Sequence, residues 1–258
     1  MKKIILFFRR NVLKLILNFK QFVGIKTSTF NLKSGEKFRI RNIDLLGLEL
    51  INGESFEENT KDLIMNTVKK GMVVLDIGAN IGYYTVKMAS IVGDEGKVLA
   101  FEPNPLMVKE LKNNIELNNL KNVQIHEIAL SNISGSLTFY NPSKGKEAHG
   151  SLKQNNTFDF DDTREVRAER LDDVLKNAGI QKVDFIKIDV EGAEYEVLAG
   201  AKELLFSENK PVIIFESAEN LCYAFEHKVF DILKLVSDYG YEIENIDWGN
   251  WIATPKKK

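Results

Sequence analysis

The fold of this chain is decided by the stretch Val73-Val74-Leu75-Asp76-Ile77-Gly78-Ala79-Asn80-Ile81-Gly82-Tyr83-Tyr84-Thr85. Its first part is apolar and rich in valine, without polar alternation, which predicts a strand buried on both faces, as in a parallel sheet. Asp76 ends the predicted strand, Gly78 and Gly82 frame a tight turn, and helical spacing follows from Tyr83 to Val92. This layout is typical of a ligand site where a helix begins, with backbone N–H groups facing the ligand and glycines permitting its close approach.

The spacing of the glycines narrows the class of ligand. A dinucleotide site favours G-x-G-x-x-G, but this loop is D-x-G-x-x-x-G, with Asn80 where the second glycine would stand. No G-K-[S/T] follows, which excludes a P-loop. The carboxylate of Asp76 suits a positively charged ligand, and S-adenosylmethionine carries an ammonium and a sulfonium but no phosphate. The alternative is that the two glycines only make a turn in another kind of α/β protein.

Glu102 strengthens the prediction of a nucleoside cofactor. It stands twenty residues after Gly82 and directly follows the apolar run Lys97–Phe101, which predicts a second strand. An acid at the end of that strand is placed to accept hydrogen bonds from both ribose hydroxyls of an adenosine.

Strands and helices alternate along the rest of the chain, which predicts an α/β fold with a doubly wound, mostly parallel sheet. Asp76, Glu102, Asp189 and Glu216 all stand at predicted strand ends, where ligands bind in such sheets. The polar segment from Asn141 to Thr163 predicts a long loop over the substrate, with His149 as a candidate acceptor contact, and Glu165–Glu169 a short strand.

The charge of the chain is unevenly distributed. Eight Lys or Arg residues precede the first acid, Glu36, so that 27 basic residues face 37 acids in the remainder, a net charge of about −10. This makes the body a poor binder of nucleic acid. The single cysteine, Cys222, allows no intrachain disulfide and indicates a reducing compartment, here the cytoplasm.

Residues 2–23 predict a basic amphipathic helix whose apolar face carries several aromatic residues. Charges interrupt every apolar run, so the helix is not expected to span a bilayer. It suits the surface of an anionic membrane, as a peripheral anchor, and the alternative is that it packs on its own domain or on a partner. We therefore divide the chain into this helix (1–24), an irregular segment with short strands (25–54) and an α/β domain (55–258).

Three motifs resemble the FkbM family of S-adenosylmethionine-dependent methyltransferases. They are the Val73–Tyr83 stretch, the run Phe101-Glu102-Pro103 and the run Ile186-Lys187-Ile188-Asp189-Val190-Glu191-Gly192-Ala193-Glu194, with a weaker echo at Ala129-Leu130-Ser131. The resemblance implies a class I, Rossmann-like methyltransferase fold with a seven-stranded sheet in the order 3-2-1-4-5-7-6. It also implies O-methylation of a hydroxyl group, often on a sugar or polyketide-like product.

On these grounds we predict two groups of site residues and no bound metal. The predicted cofactor-binding residues are Asp76, Gly78, Ala79, Asn80, Gly82, Glu102, Asn104 and Ala129. The predicted catalytic residues are Asp189, Lys187 and Glu191, with Asp189 as the first candidate for the base that takes the hydroxyl proton and Lys187 as the second. Glu191 and Glu194 have an alternative role, since acids also favour the N-terminus of the helix that follows.

Three functions remain open from the sequence. The first is an O-methyltransferase for a sugar, glycan or glycolipid intermediate at the cytoplasmic membrane face. The second is an oxidoreductase that uses NAD or a nucleotide sugar, which Asn80 and the absence of a Y-x-x-x-K arrangement disfavour. The third is a membrane-associated scaffold that keeps the fold without turnover.

Overall fold

The computed structural model of the chain describes residues 2–42, 58–143, 146–154 and 159–256. The strands are β1 (Thr27–Asn31), β2 (Lys37–Arg41), β3 (Val73–Ile77), β4 (Lys97–Phe101), β5 (Val123–His126), β6 (Ala129–Leu130), β7 (Gly135–Pro142), β8 (Phe160–Glu169), β9 (Phe185–Ile188), β10 (Val212–Glu216), β11 (Tyr241–Asp247) and β12 (Asn250–Pro255). The α-helices are α1 (Lys2–Phe22), α2 (Glu58–Thr67), α3 (Tyr83–Val92), α4 (Pro105–Leu117), α5 (Leu171–Asn177), α6 (Glu194–Ala199), α7 (Lys202–Phe206), α8 (Glu219–Cys222) and α9 (Val229–Asp238).

Seven strands form the central sheet, in the order β11-β12-β10-β9-β3-β4-β5. Numbered along the chain within this sheet, that order read from the β5 edge is 3-2-1-4-5-7-6, which confirms the predicted class I topology. The pairs of β3 with β4 and β9, of β4 with β5 and of β9 with β10 are parallel, whereas β12 is antiparallel to both neighbours. The predicted terminal hairpin is therefore β11 and β12.

Helices cover both faces of this sheet, which is why its central strands are apolar apart from Asp76 and Lys187. On one face α2, the residue Val68 that follows it, and α3 pack against the sheet: Ile64, Val68, Met88 and Val92 contact Val74, Val98, Phe185 and Ile214. On the other face α5, α6 and α9 pack Val174, Val197 and Ile232 against Leu75, Leu99, Ile186 and Ile213. Near-continuous burial of β3, β4 and β9 leaves their carboxyl ends as the edge where polar side chains gather.

A second sheet, in the order β6-β8-β7, corrects the predicted loop Asn141–Thr163 and the predicted short strand Glu165–Glu169. β7 continues to Pro142 and β8 already begins at Phe160, paired antiparallel with it. Three hydroxyl groups of this ribbon have cross-strand partners: Ser136 and Thr138 donate to Glu165 at 2.6 Å and 3.0 Å, and Ser143 donates to Asp161 at 2.8 Å. A strand whose polar face is paired in this way resembles a loop in sequence.

The N-terminal part begins with the predicted helix α1, followed by a β-hairpin of β1 and β2. The hairpin packs on the body, because Phe38 and Ile40 are buried and the Arg39 N–H donates to Asn114 Oδ1 of α4 at 2.7 Å. The domain boundaries at residues 24 and 54 stay a prediction, and residues 43–54 of that segment lie outside the described part. No helix in the described ranges is both long and apolar enough to cross a bilayer.

Candidate active site

The turn between β3 and α3 uses its own amide groups internally. Each of the five N–H groups from Gly78 to Gly82 has an acceptor within the protein. Gly78 and Ala79 donate to Phe101 O, Asn80 to Glu102 Oε2, Ile81 to Asn80 Oδ1 and Gly82 to Ala79 O, all at 2.8–3.0 Å. The expectation that these groups face a ligand is therefore wrong for this turn, and a phosphate would find no amide cradle there.

The two glycines of the turn are required by the protein itself. Gly78 has φ of +80°, and a Cβ atom there would lie 1.7 Å from the backbone oxygen of Asp189. Gly82 has φ of +89°, and its Cβ would lie 2.5 Å from Leu111 Cδ1. Gly78 thus lets the cofactor turn touch the carboxyl end of β9. Contact between two chain segments is thus enough to require this glycine, and the approach of a ligand, which the sequence suggested, stays a prediction.

Glu102 follows the carboxyl end of β4 and is held there by two backbone groups. Its Oε2 accepts from the Asn80 N–H at 2.8 Å and its Oε1 from the Asn104 N–H at 2.9 Å. Burial raises the pKa of Glu102 to about 7, against the opposing effect of these two hydrogen bonds. Each carboxylate oxygen has a second lone pair, so the fixed carboxylate can still accept two hydroxyl donors.

Asp76 lies inside β3 rather than after it, and its side chain is fully buried. Thr85 of α3 donates to Oδ2, while Oδ1 has no hydrogen-bond partner within the described residues. Burial raises the pKa of Asp76, and the nearby Lys187 ammonium opposes that shift. Asp76 therefore ties the turn to α3, and direct contact with a ligand would require its side chain to move.

Three further residues predicted to bind cofactor have structural partners. The side chain of Asn104 caps α4 by accepting from the Leu106 N–H at 3.1 Å, and its backbone holds Glu102. Ala79 packs with Ala100 and Leu111. Ala129 lies in β6 and packs with Phe139, Val166 and Ala168, in the small core of the second sheet. The side chains of Ala79 and Ala129 thus pack in hydrophobic clusters apart from the Glu102 carboxylate.

The carboxyl ends of β9 and β10 carry a buried charge cluster. Lys187 Nζ donates to Asp189 Oδ2 at 2.9 Å and lies 5.0 Å from the centre of the Tyr84 ring. Burial acts to raise the pKa of Asp189, but the Lys187 charge and a hydrogen bond with Glu216 outweigh it and lower that pKa. Burial and the Asp189 charge raise the pKa of Glu216 to about 10. At neutral pH Asp189 is therefore ionised and Glu216 protonated.

The turn after β9 brings Glu191 against His149, a contact across 42 residues of sequence. His149 Nδ1 lies 2.7 Å from Glu191 Oε1. Burial, together with the Asp189 charge, raises the pKa of Glu191, and the hydrogen bond from His149 opposes the shift. Glu194 instead accepts hydrogen bonds from the N–H groups of Val190 and Gly192 and stabilises the turn. A purely structural role, the alternative raised above for both acids, therefore describes Glu194 but not Glu191.

These residues lie along one edge of the sheet, at the point where the order of its strands reverses. The chain passes from β3 to β4 on one side, while β9 flanks β3 on the other, which is where open α/β sheets bind ligands. Glu102 stands on one side of the turn, and Asp189 and Glu191 on the other. Among the described residues, no three metal-binding side chains come together in a geometry suited to an ion.

The fit to S-adenosylmethionine rests on the donors and acceptors present. The fixed Glu102 carboxylate suits ribose hydroxyls, and the ionised Asp189 carboxylate at the facing strand end suits a cationic nucleoside. A pyrophosphate would not fit the turn, because its amide groups already donate hydrogen bonds within the protein. The sequence did not reveal the His149–Glu191 pair, because only the position of His149 in a polar segment hinted at a role.

Comparison with protein families matches residues 76–243 to the Methyltransferase FkbM domain. Among curated proteins, the 2-O-methyltransferase NoeI of Sinorhizobium fredii is 32% identical over 150 residues, which cover 53% of this chain and 60% of NoeI. The hexuronic acid methyltransferase AglP of Haloferax volcanii is 28% identical over 157 residues, 61% of each chain. The chain thus spans less than two thirds of the length of these two relatives.

Solved structures were compared as well. A putative rRNA-methylase from Clostridium thermocellum superimposes with a TM-score of 0.48 at 14% identity, covering 77% of this chain and 93% of the other.

Proposed function

The chain belongs to the FkbM family of S-adenosylmethionine-dependent methyltransferases, and from this premise we propose that it methylates a hydroxyl group of a small-molecule acceptor. When bound, S-adenosylmethionine supplies a methyl group on a sulfonium, a leaving group that needs no acid to assist its departure. The observation that carries the proposal is the edge formed by Glu102, the Gly78–Gly82 turn and Asp189. Its fixed carboxylates fit a cationic nucleoside, and its turn offers no amide cradle for phosphate.

In this proposal the protein residues bind and orient the cofactor and the acceptor. Glu102 would hold the ribose hydroxyls, because both of its oxygens are fixed by backbone donors and keep a further lone pair. The Gly78–Gly82 turn would form the bottom of the binding site between the ends of β3 and β9. Asp189, ionised through its pair with Lys187, would accept a hydrogen bond from the acceptor. Positioning of this kind accounts for much of the rate of a displacement reaction.

We propose a sugar, glycan or glycolipid intermediate as the acceptor. Support comes from two relatives, one named a 2-O-methyltransferase and the other a hexuronic acid methyltransferase. The polar residues of the edge agree with a hydroxylated acceptor, since Asp189, Glu191 and His149 all can exchange hydrogen bonds with hydroxyl groups. A lipid-linked acceptor would also agree with the basic, amphipathic character of α1.

We further propose that α1 binds an anionic membrane surface as a peripheral anchor at the cytoplasmic face. The side of the helix that faces the body buries Leu17, and Lys20 donates to Ser28 Oγ at 3.2 Å. The larger apolar face is exposed: Leu15 is 69%, Phe19 65% and Phe22 87% exposed. An apolar aromatic face that its own domain leaves uncovered favours a membrane over the intramolecular alternative.

Calorimetry and a labelled methyl donor test the proposed function. The wild-type protein should bind S-adenosylhomocysteine, and should bind NAD and nucleotide sugars at least about tenfold more weakly. Labelled S-adenosylmethionine should then transfer its methyl group to members of a panel of free and lipid-linked sugars that includes hexuronic acids. Tighter binding of NAD would favour the oxidoreductase, and cofactor binding without transfer to any member would favour the scaffold.

A further inference from the structure

Residues 146–152, which we call the strap, run across the edge that carries the cofactor turn. Asn80 Nδ2 of that turn donates to Ala148 O at 3.0 Å. Ser151 Oγ donates to Glu191 O at 3.1 Å, and Ser151 exchanges two backbone hydrogen bonds with Tyr140 of β7. The strap is therefore fixed to the turn after β3, to the turn after β9 and to the second sheet.

Gly150 is part of this fixation. A Cβ atom there would lie 2.2 Å from Phe139 Cζ, so the strap lies directly on a buried aromatic ring of β7. His149 precedes Gly150, and its imidazole is consequently placed by tertiary contacts on both sides. A histidine on a solvated surface loop would not need such contacts.

Glu191 is held as firmly as the histidine that it contacts. Its backbone has φ of +53°, a conformation that costs about 1 kcal/mol or more for a residue with a side chain. The following Gly192 has φ of +106° and lies against the backbone oxygen of Leu221. The side chain of Glu191 is only 14% exposed, whereas that of His149 is 39% exposed. The carboxylate is thus buried behind an imidazole that still meets solvent.

The other candidates for a base at this edge interact with one another in ways that prevent them from accepting a proton. Lys187 is an ammonium paired with Asp189, and an ammonium has no lone pair to accept a proton. Asp189 holds its negative charge more strongly than an ordinary carboxylate because of that pair, which makes it a weak proton acceptor. Glu216 is protonated at neutral pH. None of the three suits proton abstraction from a hydroxyl.

We propose that His149 is the general base of the methyl transfer and that Glu191 is the positioning residue that fixes its tautomer. This inference rests on the proposed O-methylation. The Glu191 carboxylate accepts the Nδ1–H, which leaves Nε2 as the nitrogen that carries a lone pair. The acceptor hydroxyl gives its proton to Nε2 as its oxygen forms the bond to the methyl carbon, and the bond from that carbon to sulfur breaks. The imidazolium, stabilised by Glu191, then releases the proton to water.

The charges facing this imidazole determine how the rate depends on pH. Among the described residues they include Glu191 and Asp189, both acidic, with the Lys187 ammonium and the protonated Glu216 behind them. The base acts only when His149 is neutral, so kcat should rise with pH along an acid limb and reach a plateau. Removing the Glu191 charge destabilises the imidazolium and should move that limb to lower pH.

A second histidine–glutamate pair supplies a matched control. His227 Nε2 lies 3.0 Å from Glu196 Oε1 of α6, and its ring stacks on Tyr195 at a centroid distance of 4.0 Å. This pair has the same chemistry, but His227 follows α8 and Glu196 lies inside a helix, so neither residue is part of the strap or a strand end. Variants His227→Gln and Glu196→Gln should keep kcat within about threefold of the wild type.

The experiment measures kcat against pH with the best acceptor from the sugar panel, together with calorimetry of S-adenosylhomocysteine. His149→Gln should lose about 10²-fold or more in kcat, as expected for a missing general base, and should lose the acid limb. Its affinity for S-adenosylhomocysteine should stay within about threefold of the wild type. Glu191→Gln should lose less activity and keep a limb displaced to lower pH. Asp189→Asn removes the second carboxylate that faces the ring, so it should keep a limb that is displaced in the same direction by a smaller amount.

An active His149→Gln enzyme with an unchanged acid limb would overturn the proposal, and loss of the limb in Asp189→Asn alone would assign the base to Asp189. Failure of the wild type on every acceptor would count against the proposed function instead. In that case NMR titration of the three histidine rings still tests the pair. Glu191→Gln should move the titration of His149 alone to lower pH, and an unmoved curve would overturn the assignment of Glu191.

Discussion

At the scale of single residues, Gly78 illustrates how a contact inside the protein can require a glycine at a ligand site. Alanine at this position would combine a left-handed backbone, at φ of +80°, with a Cβ 1.7 Å from Asp189 O. We expect Gly78→Ala to lower the free energy of unfolding by about 3 kcal/mol or more, or to prevent folding. The strand end that carries Asp189 would have to move.

Gly71 is the matched control for this change. It has nearly the same positive φ, at +81°, but a Cβ there would meet no atom within 4 Å. Gly71→Ala should therefore cost only the backbone strain, about 1 kcal/mol. Urea unfolding of both variants measures the difference, and equal losses would refute the collision with Asp189 O as the cause.

Glu102 makes a second prediction at this scale. Glu102→Ala should weaken binding of S-adenosylhomocysteine by about 1.5–3 kcal/mol, the loss expected for charge-assisted hydrogen bonds to the ribose. Because the pKa of Glu102 is about 7 and hydroxyl donors favour its ionised form, wild-type affinity should fall as pH drops from 8 to 6. Calorimetry at both values of pH checks this.

The control for Glu102 is the exposed Glu95, whose ion pair with Lys70 lies on the surface. Glu95→Ala should leave both the affinity and its pH dependence unchanged. An unchanged affinity in Glu102→Ala would remove this carboxylate from the cofactor site.

At the scale of secondary-structure elements, α1 decides whether the protein meets a membrane. The double variant Phe19→Glu, Phe22→Glu places two charges on the exposed apolar face and should reduce binding to vesicles with anionic lipid at least about tenfold. Wild-type binding should itself weaken as salt rises, since screening shortens the reach of the basic residues. Co-sedimentation with vesicles at two salt concentrations is the measurement.

Phe230→Glu is the control for α1, because Phe230 is 67% exposed on α9, away from the N-terminal helix. It should bind vesicles as the wild type does, and the double variant should still bind S-adenosylhomocysteine. Equal sedimentation of the double variant and the wild type would refute the membrane surface as the partner of α1. Loss of folding in the double variant would instead indicate that α1 packs on protein.

At the scale of the whole molecule, burial of acids at the active edge should make stability depend on pH. Burial raises the pKa of Glu102 to about 7, of Glu194 to about 8 and of Glu216 to about 10, from 4.5. Folded protein then holds protons that unfolded protein releases. The stabilisation is complete below about pH 4.5 and is lost as pH rises through each folded value. The cofactor-free protein should unfold at a lower temperature at pH 8 than at pH 6.

Glu194→Gln isolates one of these groups, since an amide oxygen can keep the hydrogen bonds from Val190 and Gly192. The variant should be more stable than the wild type at pH 8 by roughly 1–3 kcal/mol and should depend less on pH. Glu95→Gln, at an exposed site, should change neither quantity. A wild type whose stability rises from pH 6 to pH 8 would contradict the prediction.

Local sequence patterns were enough to predict the features that depend on neighbours along the chain. Largely apolar runs predicted β3, β4 and β9, glycine spacing predicted the turn at Gly78, and the alternation of strands and helices predicted a mostly parallel sheet. The order of its strands, which the structure confirms, was implied by the resemblance to the FkbM family. The basic, aromatic periodicity of residues 2–23 likewise predicted helix α1. These patterns are local because burial on both faces of a sheet, or on one face of a helix, repeats over a few residues.

Which polar groups meet depends on how the elements come together in three dimensions. Asp76 is buried against Thr85, two hydroxyl groups of β7 donate to Glu165 of β8, and His149 reaches Glu191 across 42 residues. None of these contacts leaves a period in the sequence, because a hydrogen bond between distant segments needs one residue from each. The physical reason is that burial acts on every residue of an element, whereas a polar partner is chosen by the fold that brings two elements together.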